Sequence, residues 1–171
     1  YTVAQYKGTI LGTVLIDGTA GQVTCHRSYG QSRKFGIWNV YNRLPIILKA
    51  GDSTASWSYN GSIRPSDNNS ANSLTTITGL QEEAITVSLI QRTNGSDNAG
   101  IGIGANSTAS ASGLNFVVAV GGNNNSLSAE YDIPAPSIGR NNFYSLEQTQ
   151  GGSITFYGTE TNMLLTAAWR G

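Results

Sequence analysis

Four groups of side chains have types and spacings that bear on chemistry. Glu130 and Asp132 sit two apart in a strand-like run, so their carboxylates share one face about 7 Å apart. A glycosidase places its acid and its partner carboxylate at roughly that separation across a cleft. Glu82 and Glu83 form a second, adjacent pair. Cys25 and His26 also adjoin, but neighbours on a strand point to opposite faces and share no proton directly. The chain has one histidine and one cysteine, so no zinc-ligand spacing arises. Asp67, Asp97 and Glu130 offer calcium-type oxygens without a spaced acidic loop. Gly100-Ile101-Gly102-Ile103-Gly104 lacks the GxGxxG spacing of a phosphate loop. It reads instead as a strand with one apolar face and one face of bare backbone open to close approach. No catalytic residue, metal ligand or cofactor site is assigned, and a non-enzymatic role is expected.

Ring and amide side chains suggest contact chemistry instead. Trp38 and Tyr41, beside Asn42 and Arg43, could stack on and hydrogen-bond a sugar. Asn68, Asn69, Asn98 and Asn124 add neutral amides in polar segments, and with Trp38, Tyr41 and Arg43 they make seven ligand-contact candidates. Trp57 and Trp169 suit the core or a subunit interface. Asn-x-Ser/Thr triplets at Asn60, Asn68, Asn94, Asn106 and Asn124 are what so Asn-, Ser- and Thr-rich a chain produces by chance, and each needs a secretory route.

The scaffold that must hold these residues is unusually neutral. Charged residues are 12% of the 171, while hydrophobic ones stay at 39%, so the chain folds and shows water a neutral-polar surface. Ten basic residues balance ten acidic ones, which gives no general affinity for nucleic acid. The balance is uneven along the chain. Lys7, Arg27, Arg33, Lys34, Arg43 and Lys49 fall in the first fifty residues against Asp17 alone. This predicts either a basic face for a sugar acid, phosphate or acidic partner, or charge pairing between strands or subunits. No apolar run approaches the roughly 18 residues of a membrane span. A lone cysteine forms no intrachain disulfide and favours folding in a reducing cytoplasm.

Short β-branched and aromatic runs recur between Gly, Asn, Ser and Pro punctuation. Strands are expected at 2–6, 9–16, 22–27, 35–41, 44–49, 54–59, 74–78, 84–91, 100–105, 114–120, 126–133, 142–148, 153–157 and 163–169. The polar stretch 60–72 shows no strand pattern, and 139–150 reads as strand rather than short helix. With no amphipathic helix between strands, the class is all-β: a single antiparallel β-sandwich or jelly roll over 1–171. Residues 1–30 read as an N-terminal attachment or shaft-proximal segment. The apolar C-terminal run Met163–Trp169 must be covered, because exposed apolar strands aggregate. Leu164, Leu165 and Trp169 are the candidate oligomer-interface residues.

Several phrases together resemble structural proteins of tailed bacteriophages and related particles. These are Phe35-Gly36-Ile37-Trp38-Asn39-Val40-Tyr41-Asn42-Arg43, Thr78-Gly79-Leu80-Gln81-Glu82-Glu83 and 100–108. Ile138-Gly139-Arg140-Asn141-Asn142, Tyr144–Glu147, Thr155–Gly158 and Leu165–Gly171 complete the series. The resemblance runs from about Ser32 onward and rests on turns and strands, so it carries over no binding residue. It implies a fibre or spike head, or a capsid decoration, with a TNF- or C1q-like jelly roll. Such a head is a homotrimer with the C-terminal strand near the threefold axis. Other virion proteins and host surface polysaccharide would be its partners, and the virion, assembled in the host cytoplasm, its location. The alternatives are a glycan-cleaving or deacetylating tailspike-like enzyme, and a bacterial adhesin or carbohydrate-binding module.

Overall fold

In Pro45–Ala50, buried and exposed residues alternate without a break. That period of two is what a strand shows when one face meets a core and the other water. The computed structural model describes residues 11–170 apart from 17, 19–22, 24, 42, 82–83, 113–116 and 120–121. The expected strand at 2–6 and the Glu82–Glu83 pair lie outside those residues.

In chain order the strands are β1 (Gly12–Val14), β2 (Arg33–Phe35), β3 (Ile37–Asn39), β4 (Pro45–Ala50) and β5 (Ser56–Tyr59). Then come β6 (Arg64–Pro65), β7 (Ser73–Thr78), β8 (Ile85–Gly95), β9 (Asn98–Ala105) and β10 (Val117–Ala119). The last four are β11 (Gly122–Ile133), β12 (Gly139–Gln150), β13 (Ile154–Tyr157) and β14 (Met163–Arg170). One sheet runs β10-β9-β12-β7-β2, with β6 also on β12; the other runs β4-β14-β8-β13-β5, with β11 also on β8. Strands β1 and β3 form a separate antiparallel pair. The β2–β7 contact is parallel, and the other ladders are antiparallel. The chain is therefore an all-β antiparallel sandwich of jelly-roll type.

Both sheets feed one hydrophobic cluster. Leu48, Val87, Leu89, Phe156, Leu165, Ala167 and Trp169 come from one side, and Leu74, Ile101, Ile103 and Phe143 from the other. Phe35 meets the Trp169 ring edge-on, with centroids 5.8 Å apart, and so ties β2 to the C-terminal strand.

Strand β9 is covered on both faces, since Ala99–Gly104 are all buried. Its glycine face is where its own chain comes close: a Cβ on Gly104 would collide with the Ser107 carbonyl oxygen and crowd Leu146. A Cβ on Gly79 would likewise strike the Trp38 ring.

Three expectations change. The strand expected at 35–41 breaks at Gly36, with β2 joining β7 and β3 pairing β1. The strand expected at 22–27 is reduced, among the described residues, to single bridges from Val23 to Ile16 and from Cys25 to Phe35. The polar 60–72 stretch carries β6 and a 3-10 turn at Ser66–Asn68, where Asp67 (φ 57°) and Asn68 (φ 52°) are left-handed. Asp and Asn are the non-glycine residues that tolerate this region best.

Candidate functional site

The C-terminal strand divides its residues between two faces. Met163, Leu165, Ala167 and Trp169 turn inward, while Leu164, Thr166 and Ala168 are half-buried on the outer face. Register then assembles that face row by row, because directly paired residues share a side of the sheet. Lys49, Thr166, Ser88 and Glu130 make one row across β4, β14, β8 and β11. Ile47, Ala168, Thr86 and Asp132 make the next, and Leu164, Ile90 and Ser128 follow. The Ser88 and Thr166 hydroxyls are 2.6 Å apart and bonded to each other. These three rows are aliphatic and hydroxylic in the middle, and the exposed Arg92 on β8 and Arg170 on β14 follow them at either end of the same face. Ile47 is 51% exposed and Ile90 47%.

The two margins differ in sign. Glu130 and Asp132 stand exposed along β11. At the β4 margin an open depression of about 690 Å³ is lined by Arg27, Ser28, Tyr29, Ile47, Lys49 and Glu160. Tyr29 is fixed there, since its hydroxyl donates to the Asp52 carbonyl at 3.0 Å and its ring rests on Gly51. Burial, helped by the carboxylates of Asp52 and Glu160, pushes the phenol up to about 12, so it stays neutral.

A second polar cluster closes one end of the sandwich. Glu147 is fully buried, on the same side of β12 as Phe143. Its Oε2 accepts from Trp57 Nε1 at 2.7 Å. Its Oε1 accepts from Arg64 Nε and Nη2, both at 2.9 Å, and from the Asp67 amide at 3.3 Å. The Arg64 guanidinium lies 3.5 Å from the Tyr59 ring centroid, and Trp57 stacks on Phe156. Burial pushes Glu147 up to about 7, against the opposing pull of Trp57, Arg64 and Asp67.

Asp52, 1% exposed, accepts from Asn72 Nδ2 at 2.7 Å and from the Thr54 amide at 2.8 Å. Burial alone would raise it, but Thr54, Asn72 and Asn69 together hold it below the usual carboxylate range. A proton near neutrality on Glu147 is acid–base capacity in principle. A carboxylate enclosed by its own chain meets no substrate, however, and neither acid lines the depression.

The contact residues expected from sequence fall on different elements. Tyr41 is open to water at 74% exposure. Trp38 is a correction: at 1% exposed it lies under Gly79, with the Arg43 guanidinium 5.4 Å from its ring centroid, and offers no sugar a face. Asn68 occupies the left-handed turn, and Asn69 donates weakly to Asp52 at 3.5 Å. Asn98 begins β9 opposite Gln150, and Asn124 accepts from Arg92 at 2.7 Å.

The interface candidates divide by parity. Leu165 (0% exposed) and Trp169 (5%) are enclosed by their own protomer, so a partner has no access to them; Leu164 alone of the three faces out.

Glu130 and Asp132 lie side by side on an open face rather than across a cleft. Asp67, Asp97 and Glu130 sit on three separate elements. Among the described residues, no three His, Cys, Asp or Glu side chains gather where they could hold a metal ion. Among them, too, no helix is long and apolar enough to cross a membrane.

Sequence reasoning missed Tyr29, Ile47 and Ile90, although strict alternation in 45–50 pointed to Ile47, whereas Arg27 and Lys49 were among the early basic residues it read as a possible basic face. It also missed Glu147, whose signal is a carboxylate in the Phe143–Ser145–Glu147 line of an otherwise inward face.

The sequence matches no known family model and no curated protein.

Proposed function

We propose that this protein is a non-enzymatic virion structural protein, the head of a phage-type fibre or spike or a capsid decoration. In this reading three copies associate through the outer face of the β4-β14-β8-β11 layer, and polar loops meet glycans of the host surface. The observation that carries it is that outer face. Leu164 pairs with the exposed Ile90 and Ala168 with the exposed Ile47, on either side of the Thr166–Ser88 hydroxyl row, and the exposed Arg92 and Arg170 bound these rows on the same face. Exposed aliphatic side chains gathered on one face of a protomer mark a surface used for contact. The resemblance of 35–43, 78–83, 100–108, 138–142, 144–147, 155–158 and 165–171 to phage structural heads supports the same assembly. Three heads on one spike would raise avidity for a weakly bound glycan without new contacts.

Native mass measurement together with adsorption of the isolated protein to host cells or capsular polysaccharide tests the reading. A three-protomer species that adsorbs is expected. A monomer that binds polysaccharide would favour a carbohydrate-binding module instead. A trimer that binds nothing, while whole particles adsorb normally, would confine the protein to decoration. Release of reducing sugar, abolished by Glu130→Gln or Asp132→Asn, would replace the reading with a hydrolase.

A further inference from the structure

Resting on the glycan-contact part of this reading, we propose that the depression at the β4 margin is a subsite for an acidic sugar, a hexuronic acid within a host polysaccharide. Arg27 and Lys49 hold its carboxylate, and Ser28 and Glu160 bond its hydroxyls.

Three stretches of the chain meet in the depression. Arg27, Ser28 and Tyr29 precede β2, Ile47 and Lys49 lie on the outer face of β4, and Glu160 lies in the turn before β14. Lys49 pairs with Thr166 and Ala50 with Leu165, so the depression occupies the corner where β4 ends and β14 begins. One backbone carbonyl fixes two of its walls. The Asp52 oxygen accepts from the Tyr29 hydroxyl at 3.0 Å and from the Thr159 amide, next to Glu160, at 2.7 Å. Arg33 Nη2 donates to the Tyr29 carbonyl at 3.0 Å, and a Cβ on Gly51 would collide with the Tyr29 ring. Thr159 is held at φ 68°, a left-handed value rare for a β-branched residue. Its hydroxyl accepts from Asn162 Nδ2 at 3.0 Å, which braces the same turn. The walls are therefore set before a ligand arrives, and little ordering is lost on binding.

The charges there are uncommitted. Among the described residues, neither Arg27 nor Lys49 is in an ion pair, and both are exposed. Arg27 offers a planar fork that can meet a carboxylate with two hydrogen bonds, and Lys49 adds a point charge beside it. Two cations against Glu160 leave one net positive charge, which suits a ligand with one negative charge and several hydroxyls. Glu160 accepts from a sugar hydroxyl and disfavours a densely sulfated or phosphorylated chain. Tyr29 stays a neutral phenol and adds no repulsion. Ile47, 51% exposed, offers an aliphatic surface to the C–H face of a pyranose.

The volume of about 690 Å³ falls within the roughly 300–1,000 Å³ of small-ligand sites, and the open side lets a longer glycan run on into solvent. Ile47 also borders the face assigned to trimer contact. Because β4 is the end strand of its sheet and Arg27–Tyr29 come from outside that sheet, the sugar lies at the rim of that contact. All six lining residues belong to one protomer, so the site is complete without assembly.

Binding of glucuronate and galacturonate oligosaccharides to the whole protein at low salt tests the subsite, with their methyl esters as uncharged controls. The acids should bind, and the esters should bind about tenfold more weakly or worse. Arg27→Gln and Lys49→Gln should each weaken the acids by about tenfold. Glu160→Gln should keep the acids within about threefold and admit sulfated oligosaccharides that the parent protein rejects. Both cations are exposed, so unchanged urea unfolding would show that their losses are local.

Esters that bind as well as the acids, or acids indifferent to both substitutions, overturn the subsite. Polyglutamate held as tightly as the uronates, with the same dependence on Arg27 and Lys49, overturns the sugar assignment in favour of an acidic peptide. Adsorption to host cells separates these failures from that of the wider reading. A protein that adsorbs but binds no uronate, or adsorbs equally with both cations replaced, removes the subsite and leaves glycan attachment standing. One that neither adsorbs nor binds any oligosaccharide overturns both.

Discussion

The two sheets of the sandwich use the same strand geometry to opposite ends. In the β10-β9-β12-β7-β2 sheet, strands β9 and β7 are closed on both faces. One packs on the core, and the other lies under the chain's own loops, with Ser107 against Gly104 and Trp38 against Gly79. In the β4-β14-β8-β11 layer one face packs on the core and the other stays open, with aliphatic and hydroxyl side chains, Arg92 and Arg170 on its middle strands and Lys49 and Glu130 at opposite margins. A sheet whose strands β9 and β7 are covered by their own chain has little surface left for a partner. The open one has a surface and no intramolecular cover, which is why the proposed assembly is placed there.

The largest expected break of this contrast uses consecutive residues. Leu165→Ala opens a cavity in the core and should cost about 3 kcal/mol in urea unfolding, within the usual range for buried leucine. Leu164→Ala, one residue earlier and on the outer face, should change protomer stability by less than about 1 kcal/mol and act on association instead. Equal losses from the two would show that the C-terminal strand does not divide its faces as described.

The covered sheet should fail differently. Gly104→Ala forces Ser107 and its loop away, and a destabilisation of about 1–3 kcal/mol is expected from overpacking, with association unchanged at concentrations where the protein is folded. A neutral or stabilising result would mean the 106–112 loop does not hold that face closed.

The smallest effect is a pH dependence at the polar end. Burial moves Glu147 from its ordinary 4.5 to about 7. Between those values the folded protein keeps a proton that the unfolded chain has released. Its contribution is therefore complete below pH 4.5 and is lost as pH rises through 7. Asp52 has the opposite sign: held below its ordinary 3.8, it contributes above that value and loses the contribution as pH falls through its folded pKa. Glu147→Gln should flatten the melting-temperature decline between about pH 4.5 and 7.5 and leave the acid limb intact. An unchanged slope would remove Glu147 as its source.

Much of the fold was legible because strand identity is a local property. The aromatic–serine alternation of 54–59, the apolar run at 163–169 and the Gly-Ile repeat at 100–104 each named a strand, and the described strands confirm them. Parity within those strands was legible too, though not which parity would face the core. Trp38 illustrates the gap: its neighbours Tyr41 and Arg43 suggested an exposed platform, yet the Gly79 backbone lies against the ring. No local pattern around 38 encodes a glycine forty residues later. The polar cluster is more remote still, since Glu147 takes its partners from Trp57, 90 residues away, and from Arg64, 83 away.

By itself, then, the sequence determined that the chain is all-β, where most of its described strands run and turn, and that its C-terminal strand needs cover. Those follow from period-two hydrophobicity and turn chemistry, which act over a few residues. Tertiary structure alone decided that Leu165 and Trp169 are covered from within while Leu164 is not. It alone brought Lys49 and Glu130 to opposite margins of one face, and it surrounded Glu147 with donors. Each of those depends on which strands pair and in what register, and that is settled by contacts between segments far apart in the chain.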